Sequence, residues 1–443
     1  MGERQDTLRV IIAGAGIAGL ATAISLSQIA SITNIDIQLY EQAPELLEIG
    51  ASIALSPNGM RTLEKLGVDK ALTDEFGYRG PSGIPQIFRH WKTDQVISVD
   101  THTNVPNPRH HTTRFHRGHL HAALLEHVPR ESIHLGKKII HAEADKNGVT
   151  LHFEDGSSVQ GDVLIGADGI RSAVRKSFLP DYRLRFSGKV FMRSTFDASL
   201  VEGKIPNLPS DSMHWTWYST STIPHIGSLL MNPGKDQYTT VGAYDDPRTE
   251  EELENSIAWN QRGNVEFLRE KYKMLSRPGC LILGSLSSAM PHTPMGGAFA
   301  AGGSLALDDT LALGLAFRHV FGAQTSGQTF SSENIKKALG LYSNTRQPHT
   351  ARILRIVHNQ IDKRGAQFTS AEEEDEALVA RMRSRPNTEW LSEHDVEAAF
   401  AATLEQVEVI EASDQAQASK STKTVPESSS GTSTSIQLEG SKL

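Results

Sequence analysis

The stretch Val10-Ile-Ile-Ala-Gly14-Ala-Gly16-Ile-Ala-Gly19-Leu20 decides the fold, because an apolar run there enters glycines at G-x-G-x-x-G spacing. The first glycine permits a tight turn, the second lets the backbone approach a pyrophosphate, and the third lets the following helix pack close to the strand. A helix is expected over residues 18–29, with its N-terminal N–H groups and positive dipole end turned toward phosphate. Taken alone, the pattern fits a plain glycine-rich turn as well as a nucleotide cradle. The next apolar run, Ile35-Asp-Ile-Gln-Leu-Tyr40, ends in Glu41. That acid stands where a ribose-binding carboxylate closes a second parallel strand, or is simply a solvated strand end.

Composition bounds what surrounds this unit. The chain has 443 residues, 38% hydrophobic and 22% charged, which suits a soluble globular protein of two or three domains. A formal net charge of −8 gives no basic footprint for nucleic acid and no attraction to anionic lipid. One cysteine, Cys280, excludes an intrachain disulfide framework and a cysteine-ligated zinc site. No run approaches the length of a membrane span and residues 1–5 lack a leader-like apolar segment, so a cytoplasmic protein without a membrane partner is expected. The histidines at 110, 111, 116, 119 and 121 form no H-E-x-x-H pattern; they read as surface or helix-face residues, and no metal is expected.

Further along, Gly50-Ala51-Ser52-Ile53-Ala54 is small enough to pass close to a bound cofactor, and Pro57-Asn58 starts a helix running to Leu66. Residues 77–112 read as a substrate-side insertion. Arg114-Phe-His116-Arg117 reads as a loop entering an amphipathic helix, where Arg117 can offer its fork of donors to a phosphate or a flavin edge, or be solvated. A hairpin over 148–160 leads into Asp162-Val-Leu-Ile-Gly166-Ala-Asp168-Gly169-Ile170-Arg171-Ser172. Here a buried strand ends in a tight Asp-Gly turn, which puts Asp168 at the carboxyl end of a parallel strand. Residues 183–245 alternate apolar and polar as an antiparallel sheet, closed by a polar helix over 248–259. Cys280-Leu-Ile-Leu-Gly284 reads as a fourth buried strand, followed by a small-residue loop, a helix carrying Asp308-Asp309, and a long helix near 334–364. The Ser/Thr/Gln/Lys-rich end from Ser413 reads as a disordered tail.

With these motifs in this order, residues 8–365 resemble the flavin-dependent aromatic hydroxylases, most closely salicylate-hydroxylase-type enzymes and the related monooxygenases of fungal secondary metabolism. The resemblance implies an α/β fold, a Rossmann-like FAD-binding domain of the GR2 type with an antiparallel-sheet substrate domain and a long C-terminal helix. The domains would run 1–180 and 276–330 for the cofactor, 181–275 for the substrate, 331–410 for a helical region and 411–443 for the tail. It further implies FAD held by Gly14, Gly16 and Gly19 at the pyrophosphate, Glu41 at the ribose, Ser52 and Ala54 along the cofactor, and Arg117 near the flavin. Asp168 and Gly169 would serve FAD and the passing NAD(P)H, which the family binds without a second Rossmann domain. Arg193 and Tyr218 are the counterparts of residues that face substrate in fungal relatives. The implied reaction uses NAD(P)H and O2, through a flavin C4a-hydroperoxide, to hydroxylate, epoxidise or dearomatise a small aromatic or polyketide-like substrate, in a monomer or homodimer.

One region departs from the family pattern. An aspartate usually follows the fourth strand and contacts the ribityl chain; here the pair is Gly284-Ser285, and a frequent histidine three residues on is Ser288. Ser285 can hydrogen-bond but carries no charge. The loop from Ser285 to Asp308 is also long, and the flavin-contacting backbone falls at Gly297-Ala298 or Gly302-Gly303, with Ala298 favoured. These departures leave open a flavin oxidase that needs no NAD(P)H, and a degenerate FAD-binding protein without activity.

Overall fold

The first strand, β1 (Leu8–Ala13), is buried along almost its whole length because it lies inside a parallel sheet covered on both faces. The computed structural model describes residues 7–46, 52–80, 82–90, 93, 95–146, 148–183, 189–197, 199, 213–217, 226–230, 237–245, 290–292, 301–322, 330–362, 370–384 and 387–421. Within these, β1 pairs in parallel with β2 (Ile35–Tyr40) and with β11 (Val163–Gly166), and β2 pairs with β7 (Ile133–His134). The order β11-β1-β2-β7 puts the glycine turn at the carboxyl edge of the sheet.

Alternation along β1 divides its side chains between two cores. Val10 and Ile12 join Leu20 and Ile24 of α1 (Ile17–Ile24), Leu120 and Leu124 of α3 (Arg117–Leu125), and Leu307 and Phe317 of α5 (Gly302–Phe321). Ile11 and Ala13 join Tyr40, Leu151, Phe153 and Val174 on the other face. That second face is covered by the antiparallel sheet β10-β9-β8 (Ser158–Gly161, Gly148–Phe153, Ile139–Asp145) and by α4 (Ala173–Phe178). The expected hairpin is therefore present as β9 and β10. Helix α1 continues through a π-helical turn, Ser25–Ile29. Ser25 Oγ donates to Thr310 O of α5 at 2.7 Å, and a Cβ on Gly314 would stand 2.2 Å from Ser25 Oγ. The widened turn and the missing side chain thus meet where α1 and α5 cross.

Two short strands, β3 (Ser52–Leu55) and β6 (Thr113–His116), form an antiparallel ribbon, so the segment expected as a loop before Arg117 is a strand. Helix α2 (Pro57–Lys65) follows β3 with proline in its first turn, as the sequence predicts. The larger sheet has the order β16-β12-β15-β14-β13-β4-β5. Its members β12 (Lys189–Asp197), β13 (Met213–Trp217), β14 (Ile226–Leu230) and β15 (Gln237–Asp245) come from the stretch read as antiparallel. They are joined by β16 (Met290–His292) and, from the stretch read as an insertion, by β4 (Gln86–His90) and β5 (Val96–Asp100). β4 pairs with β13 in parallel, because the chain returns to this sheet only after crossing the cofactor sheet. The expected strand at 280–284 and helix at 248–259 lie outside the described residues.

The long helix α6 (Ser332–Asp362) matches its expected position, and α7 (Ala371–Arg383), α8 (Glu389–Ser392) and α9 (Val396–Ser421) follow it. The chain divides into a unit of residues 1–400 and a second unit of residues 401–443. In the second unit the described residues are helical as far as Ser421, beyond the point where composition places the start of the tail. Alanine, glutamate and glutamine dominate 397–418, and their helix propensity carries the helix past Ile410, beyond which large apolar side chains are lacking as far as Ser421.

Candidate active site

Three strand ends meet at the glycine turn. Gly14 N–H donates to Tyr40 O at the end of β2, and Ala167 N–H donates to Ala13 O, each at 2.8 Å. Gly14 has φ +96°, and a Cβ there would lie 2.6 Å from Ala167 O; a Cβ on Gly19 would lie 2.0 Å from Gly14 O. The protein's own packing demands these two glycines. Gly16 is different, since no atom of the described residues lies within 4 Å of where its Cβ would stand. As the N-cap of α1 it brings no capping side chain, and no acid sits in the first turn. The helix therefore turns its N-terminal N–H groups and positive end onto a space the protein leaves open, which suits a diphosphate.

Two carboxylates flank the turn. Glu41 Oε2 accepts from Ala15 N–H at 3.0 Å and its Oε1 accepts from Ala43 N–H at 2.9 Å. The backbone fixes the carboxylate, and each oxygen keeps a lone pair for a hydroxyl donor. Asp168 follows β11, in a turn where Gly169 has φ +79°. Asp168 Oδ2 accepts from Val174 N–H at 3.1 Å, while its Oδ1 is buried with no hydrogen-bond partner among the described residues. A Cβ on Gly14 would be 3.2 Å from Asp168 Cα, so this orphaned acceptor stands beside the cradle. A buried carboxylate oxygen left so is satisfied by a ligand that brings a hydroxyl. Glycines, open space and acceptor together fit the diphosphate and hydroxyl-bearing chains of FAD.

The structure thus gathers Gly14, Gly16, Gly19, Glu41, Asp168 and Gly169 at one sheet edge. Ser52, Ala54 and Arg117 share a second piece, the β3-β6 ribbon, in which Ser52 pairs with His116 and Ala54 with Arg114. Arg117 is exposed and opens α3, while His116 Nδ1 caps that helix by accepting from Gly118 N–H at 3.2 Å. Burial, and then His119, lowers the His116 pKa, which keeps the ring neutral and able to accept. Arg193 stands in β12 between Val241 of β15 and Met290 of β16. Tyr218, Ser285 and Ala298 lie outside the described residues.

A second polar cluster, which sequence reading reached only as the acidic pair, lies under α5. Asp308 is fully buried; its Oδ2 accepts from Asn58 Nδ2 of α2 at 2.9 Å and faces Arg346 Nη1 of α6 at 3.6 Å. Asp309 Oδ1 accepts from Arg346 Nε at 2.7 Å. Burial pushes the Asp308 carboxyl up to about 7 against the opposing pull of Arg346 and Asn58, and it raises Asp309 as well. The rings of His349 and His394 stack at 3.8 Å beside them. Burial first, then neighbouring positive charge, lowers His349 to about 3 and His394 to about 4. Asp308, His349 and His394 bring one ligand atom each to within 4.8 Å of one another. Arg346 already supplies the cation there, so the cluster is an ion network tying α2, α5 and α6. No local motif announces Asn58, Arg346, His349 or His394, because the four reach this point from three separated segments. His121 was also missed, although a polar residue beside Leu120 in the buried stripe of α3 was a signal: it is 4% exposed.

Residues 7–258 match the family described as FAD binding domain. The chain is similar to 6-hydroxynicotinate 3-monooxygenase of Pseudomonas fluorescens, 26% identical over 79% of this chain and 90% of that protein. It is likewise similar to 6-methylsalicylate 1-monooxygenase of Aspergillus terreus, 29% identical over 79% of this chain and 81% of that one. Among solved structures, a salicylate hydroxylase substrate complex superposes with a TM-score of 0.68 at 18% identity, covering 90% of this chain and 98% of that chain.

Proposed function

Because this chain belongs to the FAD-binding-domain family and, within it, to the salicylate-hydroxylase-like flavin hydroxylases, we propose that it is an FAD-dependent monooxygenase that uses NAD(P)H and O2 to hydroxylate a small aromatic or polyketide-like substrate. The observation that carries this reading is the open, uncapped start of α1 at Gly16 beside the orphaned Asp168 Oδ1. FAD, once bound, supplies hydride acceptance from NAD(P)H and the activation of O2.

The chain's own residues bind, orient and shield. The α1 N-terminus holds the diphosphate, and Glu41 and Asp168 Oδ1 accept hydrogen bonds from hydroxyl groups on either side of it. Ser52, Ala54 and Arg117 border the cofactor from the β3-β6 ribbon. Arg193 pairs with a substrate oxyanion or carboxylate, and Tyr218 hydrogen-bonds a phenol oxygen, orienting the ring toward the reacting edge. Ser285 and Ala298 complete the far wall. The cofactor domain is formed by residues 1–180 with 276–330 and the substrate domain by 181–275, except that β4, β5 and β16, from within the first bounds, belong to the sheet of the substrate domain. The protein works in the cytoplasm as a monomer or homodimer; among the described residues no helix is long and apolar enough to cross a membrane.

Purified protein should show the two visible absorption bands of bound flavin and consume NAD(P)H faster when a suitable phenol is added. Substrate turnover with O2 alone would overturn the monooxygenase reading in favour of an oxidase. Arg193→Ala should keep its flavin and lose oxygenation; loss of flavin instead would remove Arg193 from the substrate side.

A further inference from the structure

We propose that His121 is a positioning residue that sets the orientation of the Gly16 N–H in the diphosphate cradle. His121 lies on α3, far from the glycine turn in sequence, and is buried against it. Its Nε2 stands 2.8 Å from Ala15 O. A carbonyl oxygen only accepts, so the ring donates through Nε2–H, and the bond fixes that nitrogen as the protonated one.

The consequence follows from peptide geometry. The described chain has no cis peptide bonds, so the C=O of Ala15 and the N–H of Gly16 point in opposite directions across one rigid plane. With Ala15 O drawn toward His121 on α3, Gly16 N–H turns the other way, away from α3. The preceding plane is locked in the same fashion: Glu41 Oε2 takes Ala15 N–H, and Gly14 O turns toward Gly19. Each plane of the turn thus has its own side-chain lock, Glu41 for residues 14–15 and His121 for residues 15–16. Gly16 itself, with no side chain to restrict it, would otherwise let the second plane rotate. Held in place, its N–H is a preorganised donor whose ordering cost is met on folding and not on ligand binding.

The inference rests on the cradle holding FAD, and the experiment separates the two ideas. Apoprotein is titrated with FAD, following flavin fluorescence, for wild type, His121→Gln, His121→Leu and His121→Asn, and the melting temperature of each apoprotein is recorded. Glutamine places an amide N–H near the position of Nε2, whereas asparagine is too short to reach Ala15 O and leucine has no donor. Leucine and asparagine variants should bind FAD about tenfold more weakly, with glutamine within about threefold of wild type. If all three variants bind as wild type does, or glutamine loses as much affinity as asparagine, the positioning role is overturned. Should the leucine variant fail to fold, the contrast between glutamine and asparagine decides alone. A wild-type protein that does not bind FAD would instead remove the cofactor reading beneath it.

Discussion

The glycine cradle and the Asp308 network are both polar places in an otherwise apolar unit, yet they are built in opposite ways. The cradle uses backbone groups and the absence of side chains: Gly16 contributes open space, and α1 contributes N–H groups that nothing caps. The network uses charged side chains from α5 and α6 and the Asn58 amide of α2, closed against one another with Arg346 4% exposed and Asp308 fully buried. The first is organised to receive a ligand and adds little to folding. The second holds three helices together, and losing Arg346 leaves the buried Asp308 without its cation.

The sharpest test of this contrast removes the cation. Arg346→Ala leaves the fully buried Asp308, and the half-buried Asp309 next to it, without their arginine, and urea unfolding should show a loss of about 3–5 kcal/mol. Next comes the cradle. Gly16→Val fills space that no atom of the described residues uses, so FAD affinity should fall on the order of 100-fold, about 2.7 kcal/mol, while the apoprotein melts within about 2 °C of wild type. If the valine variant is instead the less stable of the two, the division between receiving site and structural network breaks down.

Per unit change the smallest effect is a slope with pH. Asp308 titrates near 7 in the folded chain against 3.8 ordinarily, so between those values the native state keeps a proton that the unfolded chain has released. Stability from this group is full below 3.8 and is lost as pH rises through about 7. Asp308→Asn removes that dependence. Compared with the variant, wild type should lose up to about 1.4 kcal/mol per pH unit across this window, read from urea midpoints at several pH values. Equal slopes for the two proteins would mean that Arg346 and Asn58 hold the carboxylate ionised throughout.

What could be read in advance follows the same division. The strand entering Gly14, the acid closing β2 and the Asp168-Gly169 turn are local patterns, and each fell where its spacing placed it. The ribbon of β3 with β6 and the parallel joining of β4 to β13 were not legible, because short strands take their identity from partners distant in sequence. His121 shows the limit within a single helix. Its burial is decided by α1 lying against α3, and nothing in Arg117-Gly-His-Leu-His121 says which carbonyl the ring will meet.

By itself, then, the sequence determined the parallel α/β unit, the glycine turn and the acids beside it, because backbone conformation and strand period are properties of neighbouring residues. Only the tertiary structure decided which of those groups are free to take a ligand. Gly14, Gly16 and Gly19 look alike on the page; two are required by atoms of the protein itself, and one faces open space. Asp168 and Asp308 are both half-satisfied acids, but Asp168 Oδ1 stands beside the cradle while Asp308 faces an arginine from another helix. The physical reason is the same for each: what a polar group can bind depends on what the fold has already placed against it.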